Sequence, residues 1–162
     1  DTNSRALLFP MEKVFESYVA QNLKRIMSEL NWDISLQDKG FYLFDEPRKF
    51  ALRPDIVITR DDKSVIILDT KWKSLINNSK LNYGISQADM YQMYAYAKKY
   101  KTSEIWLLYP VNEEIKDLNE INFKSDDNVI VNLFFVDGKN INESITKLKN
   151  KLVNIELYQD AI

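Results

Sequence analysis

The sequence predicts an α/β domain: a central mixed β-sheet flanked by helices on both faces. Three observations lead there. Two apolar runs, Ile56-Val57-Ile58 and Val65-Ile66-Ile67-Leu68, border the polar turn Arg60-Asp61-Asp62-Lys63-Ser64, the pattern of a strand–turn–strand hairpin. Ile105-Trp106-Leu107-Leu108-Tyr109 is apolar without a break until Pro110, as in a strand covered on both sides. The segments 10–30 and 141–155 repeat apolar residues at helical spacing and supply covering layers.

Each element follows in turn. Pro10 suits the first turn of a helix over 10–30, where Phe15, Tyr18, Val19, Leu23, Ile26 and Leu30 form one stripe. Glu16 lies at the edge of that stripe. Short strands are expected around Trp32–Leu36 and Gly40–Phe44, then the hairpin over 54–71. Residues 72–85, with Asn77-Asn78-Ser79 and Gly84, read as an irregular loop. Ser86 stands three residues before Asp89, a capping-box-like opening for a helix that runs through Tyr100. After the strand at 105–109 comes a polar, acidic loop at 111–128. A strand over Val129–Val136 and a turn at Asp137-Gly138 lead into the last helix, which lines up Ile145, Leu148, Leu152 and Ile155. The order is αβββαβ, then βα.

At 162 residues the chain suits one domain, 1–162, with a real core. Hydrophobic residues make up 45%, and only three glycines and four prolines interrupt them, so a packed domain is expected. No apolar run is long enough for a bilayer and no signal-peptide core is visible, so no membrane partner is expected. The absence of cysteine fits a cytoplasmic location. With no histidine and no cysteine, Ser-His-Asp and Cys-His catalysis, HNH nucleases, HExxH proteases and zinc centres built on imidazole or thiolate are excluded. A metal would have to be held by oxygen. The net charge is −2, whereas a free-standing DNA binder usually carries a basic surplus. Local clusters do exist: Arg48, Lys49 and Arg53; Lys71, Lys73 and Lys80; Lys98, Lys99 and Lys101. If the substrate is DNA, much of the grip is expected from another domain or subunit. The first residue is Asp1 and not methionine, so a fragment of something longer is expected.

Chemistry concentrates in two strings, Arg53-Pro54-Asp55 and Asp69-Thr70-Lys71, which the hairpin would bring together. Asp69 and Lys71 share one strand face while Thr70 points away. Asp55, Asp69 and the Thr70 carbonyl could hold a hard cation, with Glu16 of the first helix reaching the same spot directly or through water. Lys71 would orient or deprotonate an attacking water, or stabilise developing negative charge. A Pro-Asp … Asp-x-Lys pattern alone recurs by chance. Here both acids terminate apolar runs, where an unpartnered charge is costly. On the following helix Gln92 and Tyr96 are four apart and share a face, with Asp89 a turn earlier; Tyr91 and Tyr94 read as ordinary packing residues. Lys73 is a further candidate for holding substrate.

The spacing resembles the PD-(D/E)XK nuclease superfamily, and the Q-x-x-x-Y string Gln92–Tyr96 resembles its RecB-like branch, in which such a Gln and Tyr touch the DNA. Four stretches narrow this: Leu8–Ala20, Leu52–Val57, Ile67–Lys73 and Asp89–Ala97 are similar, in order, to the C-terminal nuclease domain of the McrC family. The resemblance implies a restriction-endonuclease-like core with Asp55, Asp69, Lys71 and Glu16 as catalytic residues. It implies a Mg²⁺-dependent DNA endonuclease, with Mn²⁺ as a substitute, in a modified-cytosine-dependent restriction system. The implied partners are DNA and an AAA+ GTPase of McrB type that recognises the modified base; homo-oligomers or paired nuclease domains are expected in the assembled complex. No Walker loop is present, so nucleotide hydrolysis would belong to the partner. McrC proteins carry an N-terminal partner-docking portion that these 162 residues do not include. The alternatives are a RecB-like exonuclease or junction resolvase, and a non-catalytic module of nuclease fold that regulates an AAA+ partner.

Overall fold

Apolar side chains recurring every three or four residues turn one side of α1 (Met11–Ile26) inward, burying Phe15, Val19, Ala20 and Leu23. The computed structural model describes residues 10–155, so Leu8 and Phe9 of the first matched stretch lie outside the described residues. The helix is shorter than its sequence stripe. Its amide ladder closes at Met27, and the Ser28 hydroxyl donates to the Arg25 carbonyl at 2.8 Å, so the chain turns before Leu30.

Strands β1 (Asp33–Leu36), β2 (Tyr42–Asp45), β3 (Arg48–Ala51), β4 (Ile56–Thr59) and β5 (Val65–Thr70) follow. Then come two irregular 3₁₀ turns at Ser79–Gly84 and α2 (Gln87–Tyr100). The chain ends in β6 (Glu104–Pro110), β7 (Asn122–Lys124), β8 (Ile130–Val136) and α3 (Ile141–Val153). Six strands form one sheet in the order β1-β4-β5-β6-β8-β7. The β1, β4 and β5 pairings are antiparallel, β5-β6 and β6-β8 are parallel, and β7 returns antiparallel to β8. The sheet is therefore mixed.

Strand alternation sorts the core into two layers. Ile56, Ile58, Ile66 and Leu68 pack under α1 and α3 with Leu23, Leu148 and Leu152. Val57, Ile67, Ile105 and Leu107 pack on the other side, under Met93, Tyr96, Ala97 and Tyr100 of α2. Both faces are covered, as the apolar strands require. Ser86 caps α2 by accepting from the Asp89 amide at 3.4 Å.

Two strands depart from the sequence reading. Arg48–Ala51 pairs with β2 in a separate two-stranded ribbon, and Asn122–Lys124 adds an edge strand inside the stretch read as a loop. All four residues of β3 are exposed, so no alternation marks it. Among the described residues no helix is long and apolar enough to cross a membrane.

Candidate active site

The β4–β5 register pairs Ile56 with Leu68. One step further puts Asp55 opposite Asp69, and the Asp55 amide donates to Asp69 Oδ1 at 3.1 Å. Alternation along β5 turns Asp69 to the α2 side with Ile67, and Asp55 stands at the adjoining strand end. Asp55 is fixed by the neighbouring strand: the Thr70 amide and hydroxyl each donate to its Oδ2 at 2.8 Å. Lys71 prolongs the parallel ladder, its amide donating to the Leu108 carbonyl at 2.9 Å. That extra pairing aims its side chain back along the same face as Asp69.

The Lys71 ammonium lies 2.9 Å from Asp69 Oδ2, 3.0 Å from Gln92 Oε1 and 3.7 Å from Asp89 Oδ1. Lys73 pairs with the other oxygen of Asp89 at 2.7 Å. Burial is the largest single influence on Lys71 and works to lower its pKa. The charge and hydrogen bond of Asp69, joined by Asp89 and Asp55, outweigh it and hold Lys71 above the usual lysine value. Lys71 is thus an ammonium at neutral pH, which favours charge stabilisation over removal of a proton from water.

Asp69 is only 3% exposed. Burial, then the charge of Asp55, push its pKa up to about 7 against the opposing pull of Lys71. Glu16 is raised too, first by burial and then by Asp55. It meets the site through Gln37, whose side-chain amide donates both to Glu16 and, at 3.0 Å, to Asp55 Oδ1. Gln37 follows β1 in a left-handed conformation (φ 52°), and its own amide donates to the Asp55 carbonyl at 2.9 Å. No motif marks it in the sequence. Asp89, noted there only as a neighbour of Gln92, proves to be the shared counter-charge of Lys71 and Lys73.

The remaining candidates divide. Gln92 reaches Lys71 and lines the cleft. Tyr96, expected at the substrate, also lines the cleft, but it is 2% exposed and packs into the core at the cleft's wall. The packing role expected of Tyr91 and Tyr94 does not hold, since both are exposed. The reason is helical phase. Met93, Tyr96, Ala97 and Tyr100 form the buried stripe, and positions 91 and 94 fall off it. Tyr94 instead binds Asp127 and carries Lys98 over its ring.

The cleft encloses about 320 Å³ between Glu16, Asp55, Asp69, Lys71, Asp89 and Gln92. Two carboxylates crowded at its base, one of them titrating near neutrality, are donors that a hard divalent cation satisfies. Among the described residues no group of three or more acidic side chains is placed to cage an ion. The donors for an ion would therefore be Asp55, Asp69, a main-chain carbonyl such as that of Thr70, and water, with Glu16 standing behind Gln37.

Comparison with known proteins bears on the fold and the family. No curated protein matches the chain. A chain of the tetradecameric assembly of Thermococcus gammatolerans McrB AAA+ hexamers with bound McrC superposes with a TM-score of 0.67 at 16% identity. The match covers 88% of this chain and 33% of that one, so the chain spans about a third of the length of the solved chain it resembles. At that identity the likeness establishes the fold. The model of the family described as "McrBC 5-methylcytosine restriction system component" matches residues 1–110, well over half the sequence and every residue of the acid–lysine cluster. The chain belongs to the family of McrBC 5-methylcytosine restriction system components.

Proposed function

We propose that this chain is the DNA-cutting domain of a modified-cytosine-dependent restriction system, a magnesium-dependent endonuclease of PD-(D/E)XK type that acts with a GTP-driven AAA+ partner of McrB type. The observation that carries the reading is the convergence of Asp55, Asp69 and Lys71 at adjoining strand ends, tied by contacts of 2.9 and 3.1 Å. Asp55 and Asp69 would hold a magnesium or manganese ion, whose chemistry is to activate water and to offset charge on the phosphate. Lys71, kept cationic by Asp69 and Asp89, faces the same opening and stabilises the extra negative charge as the phosphodiester accepts a nucleophile. Gln92 holds that ammonium in line. Gln37 keeps Glu16 and Asp55 from repelling each other apart.

The test is cleavage of methylated DNA by the full assembly with GTP and magnesium. Asp69→Ala and Lys71→Ala should each cut at least about a hundredfold more slowly, with the partner's GTPase unchanged. Wild-type cutting by both variants would disprove the assignment. Loss of assembly and GTPase together would make the cleft a docking element.

A further inference from the structure

The ribbon formed by β2 and β3 carries aromatic surface that the fold leaves uncovered. Phe44 is 55% exposed and Phe50 71%, and their rings meet edge to face with centroids 6.0 Å apart. Phe50 holds a left-handed backbone (φ 60°), a conformation unfavourable for a bulky side chain. In a regular hairpin Phe50, between Lys49 and Ala51, would face away from Phe44, which pairs with Lys49. The positive φ coincides with the contact between the two rings. Strain that gathers exposed rings gives the free domain nothing, and points to a ligand.

The ribbon is anchored where it leaves the body. Phe41 packs on Tyr100 at 4.6 Å, Lys99 pairs with Asp45 at 3.0 Å, and the Leu52 amide donates to the Phe41 carbonyl at 2.9 Å. Within the ribbon Arg48 and Lys49 balance Asp45 and Glu46, and Lys99 of α2 pairs with Asp45, which leaves two cations against one acid at its tip. Arg48 lies over the Tyr42 ring, 5.5 Å from its centroid, which holds the guanidinium beside the phenylalanines.

We propose that this ribbon is a DNA wedge: Phe50, backed by Phe44, enters a base step of the duplex being cut, while Arg48 and Lys49 grip the flanking phosphates. Apolar wedges rimmed by cations unstack and kink DNA in this way. Five steps of chain separate the Cα atoms of Phe50 and Asp55, a span of at most roughly 18 Å when extended. With side-chain reach at both ends, and at about 3.4 Å per base step, the wedge enters within roughly eight base pairs of the scissile phosphate. A kink there would open the backbone towards the cleft. The inference rests on the nuclease reading above and adds to it a second contact with the same substrate.

The experiment uses the full assembly on methylated duplexes, with 2-aminopurine moved stepwise around the mapped cut and calcium replacing magnesium to hold the DNA intact. Fluorescence should rise at a step within roughly eight base pairs of the cut. The double variant Phe44→Ala/Phe50→Ala should abolish that rise and bind DNA about tenfold more weakly, while Phe50→Trp should preserve both signals. Both rings are exposed, so thermal melting should show the double variant folded. Unchanged binding and fluorescence in the double variant overturn the wedge. So does loss of partner or self-association with DNA binding intact, which would make the ribbon a protein contact. If the wild-type assembly neither binds nor cuts methylated DNA, the nuclease reading falls and takes the wedge with it. If it cuts and the ribbon variant matches it, only the wedge falls.

Discussion

Asp69 is where the residue scale is most demanding. Its carboxyl keeps a proton up to about 7 in the folded chain, against an ordinary value of 3.8. Between those limits the native state binds more protons than the unfolded one, so this residue makes stability fall as pH rises from about 4 to 7 and then level off. Glu16 and Glu104 are raised by burial and act in the same direction, so the comparison must be a difference. Urea midpoints measured from acid to pH 8 should fall less steeply for Asp69→Asn than for the wild type. Magnesium added at pH 8 should raise the wild-type midpoint and leave that of Asp69→Asn almost unmoved. Parallel curves without metal would mean that Asp69 is not the strained group. Its charged form is costly in the empty fold, and a bound cation would lift that cost.

At the scale of elements, α2 and α3 are held in different ways. The N-terminus of α2 has a side-chain cap, so Ser86→Ala should cost about 1 kcal/mol. The first residue of α3 has no such cap, and that helix depends on Ile145, Leu148 and Leu152 beneath it. Leu148→Ala should therefore cost about 2–5 kcal/mol, several times the cap. Denaturant midpoints decide the ranking, and a Ser86 effect equal to that of Leu148 would refute it. These elements were legible because burial wrote them into the chain. The β4–β5 hairpin shows apolar runs around a charged turn, and α3 shows a stripe. β3 and β7 are held by main-chain pairing with little burial, so their side chains carry no period. The acid–lysine cluster was legible because strand pairing follows from the same runs. Gln37 was not: it meets Asp55 through a turn whose course depends on β1 docking against β4. Q-x-x-x-Y specifies a shared face, while packing alone decides how deep each member sits: Gln92 reaches Lys71, and Tyr96 borders the same cleft from within the core.

For the molecule as a whole, charge and coverage set the expectations. A net charge of −2 gives little long-range attraction for DNA, and two of the cations lining the cleft are already paired, Lys71 with Asp69 and Lys73 with Asp89. The domain alone should therefore cut plasmid weakly or not at all at physiological salt, and cleavage should appear when the partner is supplied. Efficient cutting by the isolated domain with magnesium at moderate salt would contradict this. The ladder that sets Asp55 against Asp69 carries one more implication. Asp55 sits one residue past the paired strand; its amide donates to Asp69 and its carboxylate accepts from the Thr70 amide and hydroxyl. On the nuclease reading proposed above, the fold itself holds the two acids together, so no rearrangement of this domain is needed to assemble them. Restraint on a host's own chromosome would have to come from whatever governs the approach of the double helix.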